Sequence, residues 1–306
     1  MRVVVAGLGV QGNKRKAICG DEFFASVDPA NEKADYRNLF QIPLASYDTV
    51  LVCTPDEEKY VVIKYCLENG KHVLVEKPFW VDDSTKLSYL EEIARKNGVV
   101  CYTAYNHRFE PHFIRMRELL TSRQLGKVYS CRLFYGNGTA RLVKQSGWRD
   151  KGGGVLVDLA PHLIDTCKFW FGKGLDENWK VFSHNKFENN APDHAVIALQ
   201  TNNFRIECEI TLLMWRNSFT CDVLAENGTA HIDSLCKWGP SRFIHRVRIL
   251  PSGKPNEEET VVVQEDPTWA LEYAHFRQLI DNKYVTDLSW DKSLLETITR
   301  LKESLL

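Results

Sequence analysis

The sequence predicts an α/β fold in two parts. Residues 1–105 are expected to form a parallel, doubly wound sheet, and residues 106–306 a second α+β domain on a large, mostly antiparallel open sheet. Up to about residue 105, short apolar runs alternate with segments of helical periodicity, as in βαβ units. Beyond residue 125, alternating apolar and polar residues come in pairs separated by turn residues, which is typical of antiparallel hairpins.

The first strand and the turn after it form a dinucleotide-binding fingerprint. Val3–Ala6 is a β-branched run typical of a buried parallel strand, and GLGVQG follows it without a gap. In such a turn Gly7 permits the tight bend, Gly9 the close approach of backbone to pyrophosphate, and Gly12 the packing of helix on strand. The helix predicted over 13–18 offers free amides and a partial positive charge to the phosphates. The alternative is an ordinary glycine-rich turn. The strand and helix around it favour a Rossmann nucleotide site.

A second strand, Phe23–Val27, ends in Asp28, sixteen residues beyond Gly12. A carboxylate there can accept bonds from ribose hydroxyls and repels a 2′-phosphate, so the sequence favours NAD over NADP.

Three basic residues just beyond the glycines have two interpretations. Lys14, Arg15 and Lys16 are either a phosphate clamp or the solvated face of the first helix. The solvated face is favoured because backbone amides already serve the pyrophosphate.

The rest of the N-terminal part alternates strand and helix. A strand is expected over 48–53, a helix over 57–69, a strand over 72–75, a helix over 84–97 and a strand over 99–102. Lys77 follows the strand over 72–75, and Pro78 disfavours the helical region for the residue before it. Lys77 is therefore expected at the carboxyl end of the sheet, where open α/β sheets bind their ligands.

A glycine-rich loop at 152–154 precedes the second candidate site. Helical periodicity over 155–171 places Asp158 and His162 four residues apart and on one helical face. A histidine beside a carboxylate is suited to proton transfer, because the carboxylate orients the ring. The alternatives are that His162 only packs, or that Asp158 caps the helix.

The second part is expected to contain hairpins and late helices. A strand is predicted over 127–135, with strand pairs at 195–199 and 204–213, 219–225 and 229–232, and 245–250 and 260–264. A helix near 108–122 is expected to bridge the two parts, and helices near 268–282 and 291–305 to close the structure. Trp215 and Phe219 are interface or core residues.

Composition limits the functional classes. The 39 basic and 40 acidic residues create no broad field for nucleic acid or an anionic membrane. The sequence leads directly into a strand, so no cleavable signal is expected. No apolar run reaches the length of about 20 residues that spans a bilayer. The nine cysteines form no Cys-x-x-Cys pairs, so reduced thiols in a cytoplasm are expected. The histidines show no ligand spacing with cysteines, so no metal site is expected.

Six motifs occur in order along the chain. They are GLGVQG at 7–12, CTP at 53–55, GKHVLVEKP at 70–78, YNHRF at 105–109, GWR at 147–149 and GGGVLVDLAPHLID at 152–165. Together they resemble the glucose–fructose oxidoreductase / inositol dehydrogenase / rhizopine-catabolism (Gfo/Idh/MocA) family of NAD(P)-dependent oxidoreductases. Two departures are Asp56 and Lys59, which stand where the family often has asparagine and histidine.

The resemblance implies which residues act in catalysis, which bind the cofactor and which bind the substrate. The implied catalytic residues are Lys77, Asp158 and His162, which in the family line a site between the cofactor domain and the second domain. The implied cofactor-binding residues are Gly7, Gly9, Val10, Gln11, Gly12, Asp28, Thr54, Pro55, Glu76, Lys77 and Asn106. The implied substrate-binding residues are Lys77, His107, Trp148, Asp158 and His162. For Asn106, His107 and Trp148, a purely structural role is an equal alternative.

The expected activity is hydride transfer between NAD and a secondary alcohol of a sugar, polyol or sugar nucleotide. His162 is expected to take the proton, Lys77 to stabilise the developing alkoxide, and Asp158 to orient the imidazole or a substrate hydroxyl. The family also implies a homodimer or homotetramer formed through the open sheet face. The alternative is an inactive dinucleotide-binding sensor, which has no need of all three residues.

Overall fold

The computed structural model describes residues 1–147, 149–172, 175, 179–201 and 204–305. The chain forms two compact units that are each discontinuous in sequence. Unit 1 consists of Met1–Asn106 and Thr268–Glu296, and unit 2 of His107–Pro267 and Thr297–Leu306. The division into folding domains at residue 105 stays a prediction, because a compact unit need not be a domain that folds alone.

The strands and helices alternate in unit 1 and form hairpins in unit 2. The strands are β1 Val3–Ala6, β2 Phe23–Val27, β3 Thr49–Val52, β4 His72–Glu76, β5 Cys101–Ala104, β6 Val128–Gly136, β7 Trp179–Asn185, β8 His194–Gln200, β9 Arg205–Thr211, β10 Ser218–Ala225, β11 Gly228–Asp233, β12 Ser241–Val247 and β13 Asn256–Val262. The helices are α1 Val10–Cys19, α2 Asp56–Glu68, α3 Thr85–Asn97, α4 Pro111–Thr121, α5 Ala140–Lys144, α6 Val155–Asp158, α7 Ala160–Phe171, α8 Thr268–Asp281 and α9 Ser289–Glu303.

Unit 1 contains a five-stranded parallel sheet in the order β2-β1-β3-β4-β5, which confirms the predicted doubly wound architecture. Alternate residues of its central strands enter opposite cores, because successive side chains of a strand point to opposite faces. Val50 and Val52 of β3 lie in one core with Ile63 of α2. Leu51, between them, lies in the other core with Phe276 of α8. The sheet is therefore buried on both faces, as its continuous apolar strands predict.

Unit 2 contains an eight-stranded sheet in the order β13-β12-β11-β10-β6-β9-β8-β7. Every neighbouring pair is antiparallel except β6 and β9, which are parallel. The predicted mostly antiparallel sheet is thus confirmed. On β6, Cys131, Leu133 and Tyr135 are buried while Arg132 between them is exposed, so one face of the sheet is covered.

Helices α4 and α7 pack with the buried side of this sheet. The ring of Phe113 on α4 lies 5.0 Å from Trp170 on α7 and 5.0 Å from Phe219 on β10, measured between centroids. Phe219 is fully buried and therefore belongs to the core. Trp215, in contrast, is 99% exposed.

The helix predicted over 155–171 is interrupted, which corrects the sequence interpretation. Helix α6 ends at Asp158 and α7 begins at Ala160, with Leu159 as a turn between them. Pro161 lies in the first turn of α7. It has no amide hydrogen for the carbonyl four residues earlier, and its ring crowds that carbonyl, so one continuous helix is disfavoured. Asp158 and His162 therefore lie on two helices.

Two further findings concern the whole chain. None of the helices that the structure describes has the length and apolar character needed to cross a bilayer. All nine cysteines are free thiols, and eight of them are buried.

Candidate active site

The glycine turn after β1 combines two tight positions with one open position. Gly7 has φ of +91°, and a Cβ atom there would lie 2.6 Å from the carbonyl oxygen of Cys53. A Cβ atom on Gly12 would lie 1.7 Å from the carbonyl oxygen of Gly7. A Cβ atom on Gly9 would meet no described atom within 4 Å. The fold thus requires glycine at two positions, while the third borders open space that a ligand can enter.

Helix α1 begins at this turn with its first amides available. Gly9 is the N-cap residue, and within the described chain its position supplies no side-chain hydrogen bond to the first turn. Val10 is 75% exposed, and Gln11 is also exposed. A helix N-terminus without a side-chain cap leaves amide hydrogens for an anion, and phosphate groups satisfy them well.

Asp28 ties the end of β2 to the glycine turn. Its carboxylate accepts hydrogen bonds from the amides of Leu8 at 2.8 Å, Ala30 at 2.9 Å and Asn31 at 3.0 Å. Burial raises its pKa, but these three amides together with the charge of Arg37 outweigh burial, so the pKa lies below its usual value. A carboxylate has about four lone-pair sites. Roughly one acceptor site therefore remains for a ribose hydroxyl.

The turn after β3 contributes a hydroxyl. The Oγ1 atom of Thr54 is buried and has no hydrogen-bond partner among the described residues. Pro55, the next residue, is exposed and precedes α2 as its N-cap. A buried donor without a partner is rare in native structures and marks a position that a ligand can satisfy. Together with the space beside Gly9 and the open start of α1, it shows that these residues fit a dinucleotide.

The lysine turn after β4 is anchored by a buried arginine. The Nε atom of Arg15 donates to Oε1 of Glu76 at 2.7 Å, and its Nη2 atom donates to Oε2 of Glu272 at 2.6 Å. Arg15 is 0% exposed. Burial lowers its pKa, but the two carboxylates raise it further, so the guanidinium stays charged. Glu76 thus holds a side chain of α1, and half-buried Lys77 follows it directly.

The interpretation of residues 14–16 as a solvated face is wrong for Arg15. Lys14 is exposed, as that interpretation requires, and Lys16 is half-buried. Arg15 instead points into unit 1, with its guanidinium carbon 4.4 Å from the ring centroid of Trp269. Its second carboxylate partner, Glu272, lies on α8.

Asn106 closes the part of the site that belongs to unit 1. Its Nδ2 atom donates to Oγ1 of Thr268 at 2.9 Å, and both side chains are buried. This bond fixes the amide at the end of the first segment of unit 1.

Unit 2 holds the other two predicted catalytic residues. The imidazole of His162, in the first turn of α7, stacks on that of His107 with 4.3 Å between centroids and 20° between planes. The ring of Tyr135 lies 5.8 Å from that of His162 and 5.7 Å from that of His107. His107 is only 2% exposed. The structure therefore brings His107 and His162 together as a ring pair backed by Tyr135.

Asp158 forms an ion pair that sequence reasoning did not include. Its Oδ2 atom accepts a hydrogen bond from Nη2 of Arg149 at 3.1 Å, and both side chains are partly exposed. Arg149 is the last residue of the GWR motif, so the motif itself was the available signal. Trp148, the predicted substrate residue beside it, lies outside the described residues. Lys77 belongs to unit 1, whereas Asp158 and His162 belong to unit 2.

Fold and site define an α/β dinucleotide-binding protein with an attached α+β part. The chain belongs to the GFO/IDH/MocA family, as its motifs predict. Residues 1–105 match the family model described as "Oxidoreductase family, NAD-binding Rossmann fold", and residues 113–231 match "GFO/IDH/MocA C-terminal domain".

Two similar proteins are named as an oxidoreductase and a dehydrogenase. The chain is 31% identical over 160 residues to the uncharacterized oxidoreductase YdgJ of Escherichia coli K12, covering 48% of this chain and 45% of that protein. It is 31% identical over 170 residues to D-glucoside 3-dehydrogenase of the same organism, covering 51% and 46%. These alignments span less than half of either relative.

A solved structure supports the fold over the whole chain. An oxidoreductase from Desulfitobacterium hafniense DCB-2 superposes with a TM-score of 0.85 at 16% identity, covering 100% of this chain and 95% of that one. At this identity the likeness concerns the fold alone.

Proposed function

We propose that the protein is an NAD-dependent dehydrogenase or reductase that acts on a secondary alcohol of a sugar, polyol or sugar nucleotide. The observation that carries the proposal is the turn after β4. There Lys77 directly follows Glu76, which a fully buried arginine holds in place, in a unit whose glycine turn fits a dinucleotide. A cation carried by a turn that is held in place, in a unit that binds a dinucleotide, is suited to stabilising a developing alkoxide. The name of the related D-glucoside 3-dehydrogenase supports a carbohydrate substrate.

The chemistry divides between three side chains of this chain. His162 takes the proton of the substrate hydroxyl, and Lys77 stabilises the negative charge that develops on the same oxygen. Bound NAD supplies the acceptor for the hydride. The stacking of the His162 ring on the His107 ring supports this role, because it holds the imidazole in one orientation. Asp158, paired with Arg149, orients the imidazole or a second substrate hydroxyl.

NAD rather than NADP is the proposed cofactor, since Asp28 is ionised at the end of β2. The proposed assembly is a homodimer or homotetramer formed through the exposed face of the sheet in unit 2.

The test removes two of the three proposed catalytic groups, Lys77 and His162, separately. A panel of sugars, polyols and sugar nucleotides is first screened for reduction of NAD by absorbance. Lys77→Ala should reduce turnover below about 1% of wild type, while the NAD dissociation constant changes less than about threefold, because the lysine serves the transition state. His162→Ala should lose about a hundredfold, the usual scale for a general base.

Lys86→Ala is the matched control, because Lys86 lies on α3 and pairs with Asp82 at the surface. It should keep normal turnover. Near-normal rates in both Lys77→Ala and His162→Ala would contradict the assignment and favour the inactive sensor.

A further inference from the structure

A buried lysine, Lys59, holds the turn that carries Lys77. Lys59, in the first turn of α2, is 3% exposed. Its Nζ atom donates to the carbonyl oxygens of Glu76 at 2.8 Å and Pro78 at 2.7 Å. It also pairs with Oδ1 of Asp56 at 2.7 Å. An ammonium group has three donors, so these contacts use all of them.

The choice of acceptors is what distinguishes this lysine. The two carbonyl groups belong to the residues immediately before and after Lys77, so one ammonium bridges the backbone across it. The Glu76 carbonyl belongs to the peptide group directly before the Lys77 Cα atom, and the Pro78 carbonyl to the peptide group after Pro78. The ammonium therefore holds the chain on both sides of Lys77 and restricts the direction in which its side chain leaves the backbone.

Burying an ammonium group is costly. Its desolvation exceeds what an apolar side chain of similar size would incur, and buried ion pairs are often replaceable by apolar residues without loss of stability. Stability alone therefore gives a weak reason for a lysine at position 59. A requirement for one geometry of the turn gives a stronger reason.

The turn is held from a second direction as well. The Glu76 side chain is bound by Arg15 of α1, while the Glu76 carbonyl is bound by Lys59 of α2. Helices α1 and α2 thus each contribute one charged side chain that donates a hydrogen bond to Glu76. Asp56, which is partly exposed, balances the charge of Lys59 locally.

We propose that Lys59 is a positioning residue for Lys77. By bridging the Glu76 and Pro78 carbonyls it sets the place from which the Lys77 ammonium reaches the substrate oxygen. The inference rests on the proposed function, because it assigns Lys59 a purpose only if Lys77 acts in catalysis. Asp56 and Lys59, the two departures from the usual family residues, then act as one unit that holds the lysine turn.

The kinetic test uses Lys59→Met, which keeps the length of the side chain and removes its charge and donors. We expect kcat per NAD-binding site to fall about 10- to 100-fold, since a displacement of about 1 Å of a catalytic group has effects of this size. KM and the NAD dissociation constant should change less than about threefold. Lys59→Arg, which retains charge and donors, should recover kcat to within about tenfold of wild type.

Lys64→Met is the matched control. Lys64 lies on the same helix, is 38% exposed at its side chain and pairs with Glu68 at 3.8 Å. Its removal should leave kcat unchanged. If Lys59→Met does not fold, Lys59→Gln, which keeps a neutral donor, replaces it, and a fall of at least about fivefold in kcat is then expected.

An exchange measurement tests the same contact without any substrate. In Lys59→Met the amides of Lys77, Phe79 and Trp80 should exchange with deuterium at least about tenfold faster than in wild type, and not in Lys64→Met. Unchanged exchange overturns the contact, and faster exchange with an unchanged kcat overturns the positioning role. A wild-type protein that oxidises no carbohydrate contradicts the proposed function instead, and the exchange result then decides whether Lys59 holds the turn.

Discussion

The carboxylate of Asp28 binds backbone amides in two segments of the chain. One oxygen accepts the Leu8 amide inside the glycine turn, and the other accepts the amides of Ala30 and Asn31 in its own loop. A negative charge is therefore built into the place where an adenosine ribose is expected. Its effect on a cofactor follows from Coulomb repulsion, because a 2′-phosphate would bring two anions together in a partly buried position.

We therefore predict a preference for NAD that depends on this charge. By calorimetry, wild type should bind NAD at least about tenfold more tightly than NADP, a difference of about 1.4 kcal/mol. Asp28→Asn should remove most of this preference. Asp35→Asn is the control, since Asp35 accepts from Ser26 of the same strand β2. Tighter binding of NADP than of NAD by wild type would contradict the prediction.

Residues whose partners are distant in sequence were beyond the reach of pattern reasoning. Asp28, Lys77 and His162 follow recognisable motifs, so they can be named from the sequence. Arg15 carries no such signal, because its partner Glu272 is 257 residues away and helical periodicity places a basic residue there in solvent. Lys59 is similar, since its partners are backbone carbonyls that any sequence supplies.

At the scale of elements, two glycines of the turn after β1 are expected to have different roles, Gly12 in stability and Gly9 in cofactor binding. We predict that Gly12→Ala destabilises the protein by about 3 kcal/mol, because the new methyl group would overlap the Gly7 carbonyl. Gly9→Ala should leave stability within about 0.5 kcal/mol, since its Cβ atom meets open space among the described residues. It should nevertheless weaken NAD binding at least about tenfold, because the methyl group occupies the space beside the phosphates.

Urea denaturation and calorimetry measure the two effects on the same samples. Equal NAD affinity in Gly9→Ala and wild type would show that the cofactor does not approach this position. A Gly12→Ala variant as stable as wild type would show that the turn relaxes away from the observed geometry.

Most elements are predictable from periodicity, and the errors have local causes. The sequence places β2 at the observed bounds and α2 and α3 within a residue of theirs. It begins β5 two residues early, because Val99 and Val100 are buried although they precede the strand. It misses β7, an edge strand whose residues are mostly exposed and show little alternation. It begins β12 and β13 four residues too late.

For the whole molecule, we predict a dimer or tetramer that uses the open face of the sheet in unit 2. Central strand β6 presents Arg132 and half-buried Phe134 on that face. Phe134 lies opposite Thr220 of β10 and Glu209 of β9, so it is central in the sheet. Light scattering at micromolar concentration should give at least twice the chain mass of 35.2 kDa. Phe134→Asp should shift the protein towards monomer, whereas Trp215→Ala, outside the strands, should not. A wild-type monomer would contradict the dimer and leave the fold unaffected.

Arg15 and Glu272 are 257 residues apart, so during synthesis on the ribosome Arg15 is made long before this partner. The first 106 residues leave the exit tunnel with Arg15 and one apolar face of their sheet still lacking α8. The residues that separate this segment from Thr268 take about 10–30 s to synthesise at typical rates. During that interval Arg15 can pair with Glu76 but lacks its second carboxylate partner, Glu272. One apolar face of the sheet is also uncovered, and chaperones act on surfaces of this kind. The core of unit 1 is completed only after the segment Thr268–Glu296 has been made.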